Sequence, residues 1–376
     1  MATYWVDPTA TSGNNDGTSL ADAWTALEYA PAGLNGTAPV AGDVVNCVPG
    51  GGIDETISTA ISFNGNAGNN TAGRVTYRGY SSAGNRYRIS GGGIATYCID
   101  LDSDWLSIEN MEIRDASSHG AFIASYTTCD NLLINNCWFH SNGGDGFAAP
   151  SASTRYALFT RCMFTDNTGN GWHGDGMVLG CLAEGNTGTG FYQSASHPTT
   201  TYIDCLSFGN SQYGFWLRGY GQDFYLLHNC VVDSNTLGGA NFTGGQTGVV
   251  SGCRLTANGF GADGTNGVDL VDCYMPASGQ DRDNTTNLPG TTYTTQIDNA
   301  QNTYPTNSND AAGTDTDGGY VGGSPNYDYQ TTTAATLHNV AYVIGGATQY
   351  PRTAGLSTLA GGGSAEGYNP FSNIRF

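Results

Sequence analysis

Lysine is absent from this chain of 376 residues; its 12 basic residues are all arginine, against 32 aspartates and glutamates, for a formal net charge of −20. Clustered cations are what neutralise phosphates, so the balance excludes nucleic acid as a partner and equally disfavours an anionic membrane surface. Its plain meaning is a soluble, self-repelling surface. Charged residues of both signs make up only 12% of the chain, and no stretch keeps helical periodicity for three turns, which excludes a helical bundle. No apolar run is long enough to cross a membrane. Met1 leads almost at once into the strand-like Tyr4-Trp5-Val6-Asp7, with neither the basic segment nor the apolar core of a secretion signal. The expectation is synthesis and folding in the cytosol, although a trimmed secreted domain would open the same way. Ten cysteines are present, but nowhere as a Cys-x2-Cys pair, so a zinc site is not expected.

What is there is a repeat. A cysteine is followed five residues later by an asparagine six times: Cys137/Asn142, Cys162/Asn167, Cys181/Asn186, Cys205/Asn210, Cys230/Asn235 and Cys253/Asn258. Cys273 extends the series with Ser278 in the asparagine slot, and Asn110/Asp115 precedes it, giving eight units at intervals of 19 to 27 residues. Phe122, Phe147, Trp172, Phe191, Phe215 and Phe242 recur once per unit, most of them directly after glycine. Periods of this length mean stacked supersecondary units. Short aliphatic runs broken by Asn/Gly/Asp clusters read as strands and turns. The fold class expected is therefore all-β, a right-handed parallel β-helix, with handedness set by the crossover rule. Equivalent residues of successive coils then lie about 4.8 Å apart in columns. A buried asparagine can satisfy its carboxamide from the asparagines above and below, and small thiols and aromatic rings fill a narrow interior. Stacked thiols have parallel Cβ vectors, so the cysteines are expected free and buried rather than bridged.

Three segments follow. Residues 1–100 form an N-terminal cap and the first coils, with Ser19-x-x-Asp22 starting a capping helix over about 19–30 that lays Trp24 and Leu27 over the open end of the core. Residues 101–279 are the regular coils carrying the Cys, Asn and aromatic columns. Residues 280–376 are irregular, with a strand or two near Tyr327–Gln330 and Leu337–Ile344 and an aromatic terminus, and serve packing or oligomerisation.

The order Tyr4-Trp5-Val6-Asp7-Pro8, Asn15-Asp16-Gly17-Thr18, Ala23-Trp24-x-x-Leu27, Ala41-Gly42-Asp43-Val44 and Val75-Thr76-Tyr77-Arg78-Gly79-Tyr80 resembles the opening of pectate-lyase-like right-handed β-helix proteins. The Asn-x3-Gly-aromatic units are similar to the coils of that superfamily, and the likeness spans about residues 4–279. It implies the fold and leaves the activity open, because the superfamily includes pectate lyases, polygalacturonases, alginate-modifying enzymes, phage tailspikes and virion decoration proteins.

Catalytic candidates lie in the turns. Asp145 aligns with Asn170 of the next coil, leaving His173 and Asp175 a few residues further along; two carboxylates and an imidazole could serve acid/base cleavage of a glycosidic bond, while Gly-Asp-Gly is also ordinary turn chemistry. Ser118-His119-Gly120 resembles the Gly-His-Gly of polygalacturonases, whose companion motifs are missing here. Lyases of the superfamily use a Lys or Arg base beside calcium-binding acids; the resemblance makes Arg155, Arg161 and Arg218 the available bases. Asp100, Asp102 and Asp104, or Asp310, Asp315 and Asp317, offer calcium the oxygen ligands it takes, although solvated acidic turns explain both groups, and no metal or other cofactor is expected. His197, His228 and His338 stand alone. Tyr192, Tyr213, Trp216 and Tyr220, with Tyr225, Arg218, Gln193 and Gln212 near them, fall in adjacent coils and could bind glycan by stacking and hydrogen bonding.

The leading expectation is a structural virion component of a bacteriophage, a capsid-decorating or tail-appendage β-helix, able to bind glycan. Its partners would be copies of itself, a trimer being favoured, and other virion proteins, with polysaccharide besides. It would be carried on the virion or outside the cell after lysis. The alternatives are a polysaccharide lyase or glycoside hydrolase of the same superfamily and a bacterial surface adhesin.

Overall fold

The computed structural model describes residues 1–49, 54–63, 67–80, 86–123, 129–150, 157–193, 199–218, 224–243, 247–251, 253–256, 262–264, 268–275, 293–298, 342–344 and 347–349. The chain divides into two compact units, Met1–Cys181 and Leu182–Phe376.

The first unit is wound from three parallel sheets. One stacks Thr3–Val6, Val44–Cys47, Val75–Gly79, Leu106–Glu109, Leu133–Asn135, Leu158–Thr160 and Met177–Leu179. The second stacks Glu55–Thr56, Tyr87–Ser90, Met111–Arg114, Trp138–His140 and Met163–Thr165. The third stacks Ile61–Ser62, Tyr97–Asp100, His119–Phe122, Phe147–Ala148 and Trp172–His173. The second unit repeats the plan with Thr199–Ile203, Phe224–His228, Thr247–Ser251, Val268–Met275 and Tyr293–Asp298. Leu182–Glu184, Leu206–Phe208, Val231–Asp233 and Arg254–Thr256 form its second sheet, and Phe191–Gln193, Tyr213–Arg218, Gly238–Thr243 and Ala262–Gly264 its third.

Two of the corners in each coil explain the repeat. Asn136, Arg161, Asp204 and Asn229 stand immediately before the cysteines with φ between 52° and 54°; Ser141, Asp166 and Ser234 stand immediately before the ladder asparagines with φ between 55° and 57°. Asn, Asp and Gly tolerate this left-handed region best, which is why they crowd the repeat. Just past the first corner the thiol points inward and meets backbone carbonyls: Cys162 Sγ lies 3.4 Å from Thr160 O and 3.4 Å from Ile134 O of the preceding coil, and Cys253 repeats this with Ser251 O and Leu227 O. The nine described cysteines are free and buried. At the second corner Asn142 Nδ2 donates to Asn167 Oδ1 at 2.9 Å. In the second unit Asn186 donates to Asn210 and Asn210 to Asn235, at 2.9 and 2.8 Å. The acceptor oxygen of each pair also takes the backbone N–H of the donor residue.

Several expectations need correction. Asn110 and Asp115 do not open the series: the register of Trp138 with Glu112 puts Met111 in the cysteine slot and Ala116, whose N–H donates to Asn142 Oδ1, in the asparagine slot. Phe147, Trp172, Phe191 and Phe215 are fully buried in the aromatic column, but Phe122 pairs with Ala148 and Phe242 with Leu217. Ala121 and Ala240 take their places in that column. The glycine sets the register, not the ring after it: a Cβ on Gly120 would sit 2.6 Å from Gly146 O, and one on Gly146 2.6 Å from Gly171 O.

The capping helix over 19–30 is replaced by a single 3-10 turn, Leu27–Tyr29. Ser19 and Asp22 close a tight turn, with Ser19 Oγ donating to Asp22 Oδ2 and Asp22 N–H to Ser19. Trp24 is then held extended, its N–H on Trp5 O and its carbonyl accepting from Asp7 N–H, so a helix cannot start before residue 26. The plug survives the change: Trp24 and Leu27 are fully buried, and Trp24 stacks on Tyr4. Beneath it the buried Glu55 carboxylate accepts the Leu27 N–H at 2.9 and 3.0 Å and the Tyr87 hydroxyl. Burial pushes this carboxyl above its usual range, against the hydrogen bonds that lower it.

Of the segment 280–376, the structure describes Tyr293–Asp298 and a short antiparallel pair, Tyr342–Ile344 with Ala347–Gln349. Tyr327–Gln330 and the aromatic terminus lie outside the described residues.

Candidate functional site

At the start of the third sheet of the first unit the register lines up Tyr97, His119, Asp145 and Asn170 in one column. Asp145 is the hub. Its Oδ1 accepts the Asn170 N–H at 2.6 Å and Nδ2 at 3.0 Å, and its Oδ2 accepts His173 Nδ1–H at 2.9 Å. His119 Nδ1 accepts the backbone N–H of Asp145 at 2.9 Å and lies 4.0 Å from Asp145 Oδ2. The two imidazoles are thereby held in opposite tautomers: His173 carries its proton on Nδ1, His119 on Nε2. Burial, with the neighbouring His173, pushes His119 below the ordinary histidine value against the pull of Asp145, so its neutral form is the one presented at neutral pH. Its ring stacks against Tyr97 and Phe122. Asp145 and His173 are thus brought together as the alignment predicts; Asp175, also buried, lies two residues beyond His173. His119 stands out in the sequence only through Ser118-His119-Gly120; its place beside Asp145 comes from the register of two coils.

A second cluster went unnoticed in the sequence. On the second sheet, Glu112 lies 3.3 Å from Arg88 Nε, 3.8 Å from Arg114 Nε and 3.2 Å from His140 Nε2, and Asp54 pairs with both arginines. Burial raises the Glu112 carboxyl, but the His140 hydrogen bond and the three positive neighbours outweigh it and hold it below the usual range. Trp138 stacks on His140 and donates its indole N–H to Thr165 Oγ1. Every charge here has a partner within the cluster, which marks it as an ion-pair network bracing neighbouring coils. The open groove of about 490 Å³ at the second corner is lined by Asp115, Ser141 and Asp166 with the ladder residue Asn142, and holds none of the catalytic or glycan-binding candidates.

In the second unit an aromatic face stands on the outward side of the third sheet. Tyr192 pairs in register with Trp216, and Trp216 with Asn241. The Trp216 ring lies 5.0 Å from Tyr192 and 5.4 Å from Tyr213, tilted to both, and its Nε1–H donates to Thr243 Oγ1 at 3.2 Å. All three aromatics are half-buried, and Arg218 is exposed at the end of the same strand. Tyr225 and Gln193, placed near this group by the sequence, are fully buried instead, since strand alternation turns them inward. Tyr220 lies outside the described residues.

A family model described as the right handed beta helix region matches residues 92–275. The fold of the described coils is a right-handed parallel β-helix. The β-helix is similar to three solved structures. Pectate lyase Pel9A is 16% identical over 72% of this chain and 76% of that one, with a TM-score of 0.45; a rhamnogalacturonan lyase is 13% identical over 73% and 74%, at 0.39. Geobacillus virus E2 ORF18 is 14% identical over 61% and 54%, at 0.35. At such identities the likeness is one of fold. No curated protein matches the sequence.

The remaining candidates have local roles in the β-helix. Asp104 Oδ1 accepts the Asp130 N–H at 2.7 Å, Arg161 donates to Asn135 Oδ1, and His228 pairs with Ser251 Oγ. Among the described residues no three His, Cys, Asp or Glu come together as a metal site. Arg155, His197, Asp310, Asp315, Asp317, His338, Asn258 and Ser278 lie outside the described residues, as does the side chain of Cys273.

Proposed function

We propose that this β-helix is a structural component of a bacteriophage particle, a capsid-decorating or tail-appendage protein, that engages glycan through Tyr192, Tyr213 and Trp216. The observation that carries the glycan part is the tilted cluster of three half-buried rings on an outward face, with Trp216 pinned by Thr243. Rings fixed before binding offer a sugar face a stacking platform with little entropy left to lose. The particle part is supported by nine buried free thiols, which suit folding in a reducing cytosol, and by a lysine-free surface of net charge −20. Assembly is proposed as a homotrimer. Light scattering on the full chain tests it, with a mass three times that of the 39.2 kDa chain expected and a strict monomer counting against a particle role. Affinity for host-surface polysaccharide, lost in Trp216→Ala, tests the glycan part.

A second reading, cleavage of a polysaccharide, is favoured by one observation, the His173–Asp145 hydrogen bond with His119 beside it. An imidazole oriented by a carboxylate is a general-base arrangement. New reducing ends or unsaturated products from a polysaccharide panel, abolished by Asp145→Asn, would establish it; no product from any substrate would leave the site structural.

A further inference from the structure

Resting on the glycan reading, we infer that Asn241 is the polar half of the Trp216 subsite and that the subsite takes a neutral, hydroxyl-rich sugar rather than a uronate. Asn241 stands directly beside Trp216 in the parallel register and is only 5% exposed. Its Oδ1 is buried with no hydrogen-bond partner among the described residues. The contrast with the other buried asparagines of this unit is sharp: Asn210 and Asn235 each spend Oδ1 on two donors from the coil before. A buried acceptor left unmade costs stability, and a fold that satisfies its ladder asparagines so fully has no structural need of one here.

The chemistry of the missing partner follows from the acceptor. A carboxamide oxygen wants an O–H or N–H, and a pyranose whose face stacks on Trp216 carries hydroxyls around its rim. A uronate carboxylate is acceptor-only and would set oxygen against oxygen, on a chain whose net charge of −20 already repels polyanions. Thr243, two residues along the same strand as Asn241, holds the indole, so ring and acceptor are fixed relative to each other before any sugar arrives.

The test is electrophoresis of the full chain in native gels containing dextran, galactomannan or hydroxyethyl cellulose, with polygalacturonate and alginate as the acidic arm, alongside thermal melts. Retardation is expected in a neutral gel and not in the acidic ones. Trp216→Ala should abolish it, and Asn241→Leu should weaken it by about tenfold while raising the melting temperature, because the unmade acceptor is gone. A structural asparagine would do the opposite on melting, so a lowered melting temperature in Asn241→Leu overturns the inference. So does unchanged retardation of Asn241→Leu, or retardation in acidic gels alone; both leave the glycan reading standing. Retardation in none of the five gels overturns both.

Discussion

A carboxamide at the second corner does the work of several backbone partners at once, which is why one residue type recurs there. Asn210 Oδ1 receives both the side-chain and backbone N–H of Asn186, while its own Nδ2 reaches Asn235 Oδ1 and the Ala183 carbonyl. Asn210→Ala should therefore cost about 2–4 kcal/mol, since it strands buried donors on one side and an acceptor on the other; chemical denaturation measures it, and a loss below about 1 kcal/mol would mean that water replaces the ladder. Glu55 gives a prediction of opposite sign in pH. Its folded carboxyl titrates above the unfolded one, so its ionisation opposes folding, and the stability it contributes in the protonated form is lost as pH rises from the unfolded carboxylate value through the folded one. Melting curves from pH 4 to 8 should flatten in Glu55→Gln relative to the parent. The five-residue Cys–Asn offset made the ladder legible in the sequence, whereas the unmade Oδ1 of Asn241 has no signature there, because satisfaction is a property of neighbours.

At the scale of an element, local signals were readable where backbone geometry demanded them and misleading where pairing competed. Ser19-x-x-Asp22 has the spacing of a helix start, yet the strand bonds of Trp24 to Trp5 and Asp7 hold that segment extended and leave only the turn Leu27–Tyr29. What the plug needs is the indole, not the helix. Trp24→Ala should cost about 3–5 kcal/mol through the cavity left over the first coil, seen as a lowered midpoint in urea with the slope unchanged. The aromatic column shows the same competition. Following the rings from coil to coil suggests Phe122 and Phe242, but the close approach of Gly120 and Gly146 to the next coil's carbonyls decides which residue follows inward. His119 and Asp145 lie 26 residues apart, and no pattern in either strand announces that they touch.

For the molecule as a whole, the interior is chemically quiet. Burial pushes Cys98 and Cys129 up to about 12 and holds Cys137 and Cys230 well above the ordinary thiol value. A thiol reagent at pH 8 should leave the nine described cysteines unreacted in the native protein and titrate all of them in guanidinium; fast native labelling of more than one thiol would mean that the coils open. The period of the repeat, the Asn, Gly and Asp at its corners and the lack of lysine were enough, unaided, to specify a wound parallel ribbon with free thiols inside and a negative surface, because each of those follows from the near-identity of one coil with the next. Which outward side chains meet was decided only by the tertiary structure. The register between coils of unequal length is set by backbone contacts at glycine and by left-handed corners, and a slip of one residue there exchanges Phe122 for Ala121 and turns an inward side chain outward.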